Sequence, residues 1–145
     1  VKRFSNEGFT LIETLVVVVI LAIGLAIAIP TFMEMGRSNA VKAEARSLKN
    51  LLARTRMDAV EGNQSLTATI NVATSSCTVT DTATGTVVST TNFDGVQLIP
   101  APNPLSIVWN SRGMVGNFSS INLVGAEATY QVFVSAAGNV RIAKQ

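Results

Sequence analysis

Histidine is absent from the 145 residues, and cysteine, tryptophan and tyrosine occur once each. Without an imidazole the chain lacks the usual general base near neutral pH, the partner of a nucleophilic serine or cysteine, and the commonest nitrogen ligand of zinc. The single cysteine, Cys77, excludes a disulfide within the chain; many exported proteins carry none, so this does not identify the compartment. Cys77 reads as a small, partly buried residue beside a strand. Charge is scarce as well: charged residues make up 14%, and eleven basic against nine acidic residues leave a net +2. Setting aside the first eight residues leaves nine basic and eight acidic. That balance is too even to argue for a polyanionic partner from global charge, and only a local cluster could attract one. Asp58, Asp81, Asp94 and Glu127 are scattered without the pairing or spacing that acid/base or metal chemistry needs, and the Ser/Lys combinations carry no diagnostic motif. The composition points away from an enzyme and calls for no cofactor or metal.

Apolar residues, by contrast, make up 48% of the chain and are unevenly spread, with LVVVVILAIGLAIAI filling positions 15 to 29. The 25 residues from Phe9 to Met33 are interrupted only in their outer parts, by Thr10, Glu13, Thr14, Pro30 and Thr31. About 20 apolar residues span a bilayer as a helix, so a transmembrane helix is expected over residues 9–33. Lys2 and Arg3 precede it, which predicts a cytoplasmic N-terminus and an outward remainder. Gly24 and Ala28 stand four apart and offer a small surface for close helix packing. Glu13 is the residue that anchoring alone does not explain, because a carboxylate near an apolar helix needs a partner or a route to the interface. A cut between Gly8 and Phe9 would supply one. The new α-amino group would lie four residues away, and a neighbouring subunit would offer its equivalent.

GFTLIE, preceded by a short basic leader and followed by an apolar stretch and Pro30, resembles the class III signal of type IV pilins and type II secretion pseudopilins. The resemblance implies that residues 1–8 are a leader, with Gly8 its last residue, read by prepilin peptidase. It implies that Phe9 becomes the N-methylated first residue, that Glu13 is the assembly glutamate, and that Pro30 holds the helix-kinking position. Ala26-Ile27-Ala28 also matches the small-x-small site of an ordinary signal peptide, and a plain single-span anchor would share the same apolar run. Both of those readings leave GFTLIE without a purpose.

Beyond Pro30 the helical period continues. Val41, Ala45, Leu48 and Leu52 follow intervals of four, three and four, while Lys42, Glu44, Arg46 and Lys49 occupy other faces. Residues 34–62 are therefore expected to form an amphipathic continuation of the helix, stopped at Gly62-Asn63. Its basic side chains read as a solvated face making i,i+4 pairs. From residue 63 to residue 145 the period becomes two. Leu66, Ala68, Ile70 and Val72 alternate with polar residues, and further short strands are expected near 77–80, 87–90, 96–99, 105–109, 121–124, 129–134 and 139–142. Gly85, Gly95, Gly113 and Gly138 mark turns between them. Pro100, Pro102 and Pro104 are read as a loop, since proline cannot sit in a central ladder. The Thr- and Ser-rich stretch around Cys77 reads as a surface hairpin, and Trp109 and Tyr130 as core residues.

The C-terminal order IVWNSRGMV, INLVG, YQVFVSAAGNVRI resembles the ending of GspH/FimT-type minor pilins and pseudopilins. What this implies is an α+β fold, with a long N-terminal transmembrane and amphipathic helix packed on a small antiparallel β-sheet head. The implied function is that of a minor pilin or pseudopilin, held single-pass in the bacterial inner membrane with its head in the periplasm. Its implied partners are prepilin peptidase, other pilins or pseudopilins and the assembly platform. Members on the FimT side are associated with DNA capture through a C-terminal Gly-Arg-x-Arg segment. Here that stretch is Gly138-Asn139-Val140-Arg141, so Arg141 is kept and the first arginine is replaced by Asn139. Arg112, Arg141 and Lys144 are the candidate DNA-binding residues, and one fewer cation weakens any phosphate contact.

Overall fold

The computed structural model describes residues 10–101 and 105–145. In chain order it contains α1 (Leu11–Glu61), β1 (Leu66–Asn71), β2 (Ser76–Asp81), β3 (Val87–Asn92), β4 (Gln97–Ala101), β5 (Leu105–Trp109), β6 (Ser119–Val124), β7 (Thr129–Val134) and β8 (Val140–Lys144). Two compact units divide it, Val1–Met35 and Gly36–Gln145.

In the first unit, α1 begins at an N-cap. Thr10 Oγ1 and the Thr10 carbonyl both accept the Glu13 amide, at 3.3 and 3.1 Å. Threonine followed three residues later by glutamate is the capping-box pattern, and a carboxylate in the first turn also suits the helix dipole. The helix runs through Pro30. Proline has no amide proton, so the Ala26 carbonyl loses its usual donor there. The Thr31 hydroxyl donates to the next carbonyl, that of Ile27, at 3.4 Å. Apolar side chains from Leu11 to Met35 remain exposed, Leu11 at 83% and Ile27 at 71%.

In the second unit the helix buries Val41, Ala45, Leu48, Leu52, Thr55 and Ala59, one stripe at intervals of four, three, four, three and four. Its end is a Schellman turn. Gln64 N–H donates to the Ala59 carbonyl at 3.0 Å and Asn63 N–H to that of Val60 at 3.2 Å. Asn63, at φ 47°, takes the left-handed position, because asparagine tolerates that conformation through local hydrogen bonding.

The eight strands form two four-stranded antiparallel sheets, in the orders β3-β2-β1-β5 and β4-β6-β7-β8. Alternate residues of β1, β5, β6 and β7 face inward and join the helix stripe in one core, with Trp109, Leu98, Ile107 and Leu123 fully enclosed. Cys77 lies inside β2 opposite Ile70 and is fully buried, deeper than a position beside a strand. Burial pushes its thiol up to about 12, because a thiolate would lose its solvation there.

All four glycine turns adopt positive φ, from 69° at Gly95 to 76° at Gly138. The loop reading of Pro100 is corrected: it belongs to β4 and pairs with Ile121. This is possible because β4 is an edge strand, where the missing N–H interrupts no second ladder. Pro102 and Pro104 lie outside the described residues. Val72 falls just past β1, where the Asn71 side chain opens a turn by accepting the amides of Ala73 and Thr74 at 3.0 and 3.3 Å.

Candidate functional site

Gly8 and Phe9, the expected cleavage and methylation positions, lie outside the described residues. Glu13 is described. Its backbone is held by Thr10, and its exposed carboxylate makes no ion pair among the described residues. Pro30 lies inside α1. The first unit thus presents a continuous apolar helical surface carrying one carboxylate near its start.

The candidate residues of the head fall into two places. Arg112 and Arg141 belong to the end where α1 finishes. There the Asn110–Met114 turn is closed by Gly113 N–H to the Asn110 carbonyl at 2.8 Å, and Asn110 Oδ1 accepts the amides of Arg112 and Met114 at 2.9 and 3.1 Å. The β7–β8 turn is closed by Gly138 N–H to the Ser135 carbonyl at 2.8 Å, and Val115 N–H to the Ala136 carbonyl at 2.9 Å stitches the two turns together. Beneath both runs Arg56, whose Nη1 donates to Asn139 Oδ1 at 3.1 Å. A Cβ on Gly138 would fall on the Gly113 carbonyl oxygen and lie 2.9 Å from Arg56 Nε. Glycine is therefore required twice over, by its left-handed φ and by the close approach of another backbone.

Arg141 is exposed, on the face of β8 opposite the partly buried Val140 and Ile142, as strand alternation predicts. Its cross-strand neighbour is Phe133, whose ring centroid lies 5.9 Å from that of Phe118. Arg141 also borders an open groove of about 760 Å³ lined by Ala53, Met57, Val60 and Val140 as well as by Arg56.

Lys144 is not part of this group. Three residues along a strand is about 10 Å and an odd step, so Lys144 faces the other side of the sheet. It pairs across the ladder with Tyr130 and lines a recess with Lys42 and Arg46. The sequence placed neither helix cation near the C-terminus, because only the register of β7 with β8 and the seating of α1 bring them together.

Three of the four acidic candidates, Asp58, Asp81 and Glu127, hold local structure. Asp81 Oδ1 accepts the amides of Ala83 and Thr84 at 2.7 and 3.1 Å. Asp58 stands 3.8 Å from Arg54, the expected i,i+4 pairing, and Glu127 stands 3.4 Å from Arg37.

Comparison with known proteins agrees with both units. Residues 3–29 match the family model of the prokaryotic N-terminal methylation motif. No curated protein matches the sequence. Among solved structures, the type IV minor pilin FimU of Pseudomonas aeruginosa is similar with a TM-score of 0.63 at 12% identity, over 72% of this chain and 89% of FimU. The minor pseudopilin EpsH of the Vibrio cholerae type 2 secretion system is similar with a TM-score of 0.59 at 20% identity, over 72% of this chain and 96% of EpsH. A second EpsH structure gives 0.60 at 15% identity, over 73% and 97%. The chain therefore carries a prokaryotic N-terminal methylation motif at its start and has the fold of the minor pilin FimU and the minor pseudopilin EpsH, a long apolar N-terminal helix with an antiparallel-sheet head.

Proposed function

We propose that the chain is a minor pilin or pseudopilin, a non-catalytic subunit that helps initiate or form a type IV pilus or a type II secretion pseudopilus. In this reading prepilin peptidase cuts after Gly8, Phe9 is N-methylated, and residues 9–33 hold the subunit in the bacterial inner membrane with its head in the periplasm. The assembly platform then delivers it to other pilins or pseudopilins. The observation that carries the reading is the exposed apolar surface of α1 with Glu13 near its start. Such a helix can exchange lipid contacts for helix contacts in a filament core, and Glu13 then meets the α-amino group of a neighbouring Phe9. Pairing the two charges offsets the penalty of a carboxylate in an apolar bundle and fixes axial register. The test is Glu13→Ala. Membrane insertion should persist while recovery in sheared filaments falls at least tenfold, and recovery at the wild-type ratio would refute the charge pairing. Gly8→Val should retain the leader, read by mass spectrometry of the N-terminal peptide.

A second reading, DNA capture, draws on Arg141. An exposed guanidinium beside two phenyl faces is the combination that single-stranded nucleic acid uses, through phosphate attraction and base stacking. Asn139 faces a competing demand, since its side-chain oxygen is engaged by Arg56. A salt-series DNA titration of the full chain in detergent, beside Arg141→Ala, tests it. Saturable binding that weakens with salt and falls in the variant supports capture, and no binding at low salt removes it.

A further inference from the structure

Three cations of the head have no part in the assembly reading. Lys42 and Arg46 stand one helical turn apart on α1, and with Lys144 on β8 they line one recess of about 330 Å³, together with Tyr130 and Ile142. No acidic side chain lines it, and among the described residues none of the three cations takes part in an ion pair. Three other cations of the helix behave differently, Arg37 held by Glu127, Arg54 by Asp58 and Arg56 by Asn139, while Lys49 makes no ion pair among the described residues and lies outside the recess. Glu44, between Lys42 and Arg46 in sequence, is turned about 200° from Lys42 around the helix.

The backbone beneath the recess is fixed from both sides. Val41 and Ala45, beside the two helix cations, are buried, and Val41 packs so closely on the β6–β7 turn that a Cβ on Gly125 would overlap it. The end of β8 is held by Gln145 N–H to the Thr129 carbonyl at 3.0 Å and by Gln145 Nε2 to Gln131 Oε1 at 2.7 Å. Like charges at i,i+4 are destabilising by themselves, and a third cation fixed opposite adds to the repulsion. An anion between them is attracted by all three, and those attractions offset the repulsion among the cations. One guanidinium fork and two ammonium groups suit the tetrahedral oxygens of a phosphate.

We propose that this recess receives the phosphate of an anionic lipid headgroup while the chain is held in the membrane. The inference rests on the membrane-anchored reading above. Lys42 follows Met33, the last residue of the apolar run, by nine residues, about 14 Å of helix. Its flexible stem can reach back from there to the headgroup layer. Entry into a filament must then release that headgroup, so the recess favours the membrane pool until assembly displaces it.

The test uses the full chain reconstituted in mixed vesicles of phosphatidylcholine and phosphatidylglycerol, with retained lipids identified by native mass spectrometry. Retention of phosphatidylglycerol over phosphatidylcholine is expected, with each cation worth about fivefold. Lys144→Gln should lower the preference about fivefold and Lys42→Gln with Arg46→Gln more than tenfold, while Lys49→Gln with Arg54→Gln leaves it unchanged. Equal losses in the two double variants would mean diffuse surface charge and overturn the site. Inorganic phosphate bound by the detergent-solubilised chain and lost in the same variants, without any lipid preference, would assign the recess to soluble phosphate and overturn the lipid. A chain that fails to float with pure phosphatidylcholine vesicles rejects the membrane reading itself. One that floats with no preference rejects only the recess.

Discussion

Between Leu11 and Met35 no side chain of α1 is buried, whereas between Val41 and Ala59 six are. Both stretches are helical and both are rich in aliphatic residues. They differ in how those residues are arranged. The first is apolar on every side, so no orientation gives it a wet face and a dry face, and it requires an apolar medium or other helices around it. The second gathers most of its apolar residues into one stripe, which the inner faces of two sheets cover, and leaves Met57 and Val60 exposed beside it. The buried apolar contacts of the head half are therefore made within the chain, and the apolar side chains of the first half have no such contacts among the described residues.

That contrast breaks most sharply on leucine. Leu52 is fully buried, and Leu52→Ala should destabilise the head by about 2–5 kcal/mol. Leu21→Ala, which truncates a side chain 59% exposed, should leave head stability unchanged. Trp109 is the sole tryptophan and lies at the centre of the head core, so denaturant titration followed by its fluorescence in detergent reports the head alone. Equal losses for the two variants would mean that the halves fold as one unit.

Turn glycines sharpen the picture within the head. Gly85 and Gly138 share a left-handed backbone, but a Cβ at Gly85 meets open space while one at Gly138 meets the Gly113 carbonyl. Gly85→Ala should cost about 1 kcal/mol from backbone strain alone. Gly138→Ala should cost about 2–3 kcal/mol, because overpacking adds to the strain. The same denaturation assay separates them.

Cys77 yields a smaller, pH-dependent effect. Its thiol is pushed up to about 12 by burial, while an unfolded cysteine ionises near about 8.5. Between those values the unfolded chain releases a proton that the folded chain keeps, so stability falls as pH rises. Wild type should lose about 1 kcal/mol relative to Cys77→Ala between pH 8 and pH 9.5. Parallel pH profiles for the two proteins would show that Cys77 is not sealed in the core.

Much of this was legible because local signals agreed. The stripe at Val41, Ala45, Leu48 and Leu52, the alternation along β1, β5, β6 and β7, and a glycine at four of the turns are all written in short windows of sequence. What escaped was long-range or depended on the edge of a sheet. Pro100 enters β4 only because that strand has one neighbour. Asn63, rather than Gly62, takes the left-handed cap, since both residue types accept it and only the hydrogen bonds from Asn63 and Gln64 decide. Arg56 was one of six basic residues in a helix, and no spacing marked it as the one pinned beneath two turns. Lys144 lies near Arg141 in sequence, yet strand parity alone separates the two onto opposite faces. Asn71, Asp81 and Asn110 did carry a readable signal, an Asx residue opening each turn.

The smallest expected effect concerns the two arginines two positions apart on α1. Arg54 is 82% exposed on its side chain and meets Asp58 at 3.8 Å, a long contact in full solvent. Holding two flexible side chains in one geometry offsets most of the attraction, so Arg54→Ala should change head stability by no more than about 0.5 kcal/mol, and less in high salt. Arg56 carries the same charge, yet its stem fills the space beneath Gly113 and Gly138 and its guanidinium donates to Asn139. Removing that side chain takes away packing as well as a hydrogen bond, and added salt should not conceal the loss. If the two alanine variants lost equal stability at every salt concentration, the joint beneath the two turns would be no more than another exposed charge, and the required glycine at position 138 would need a different cause.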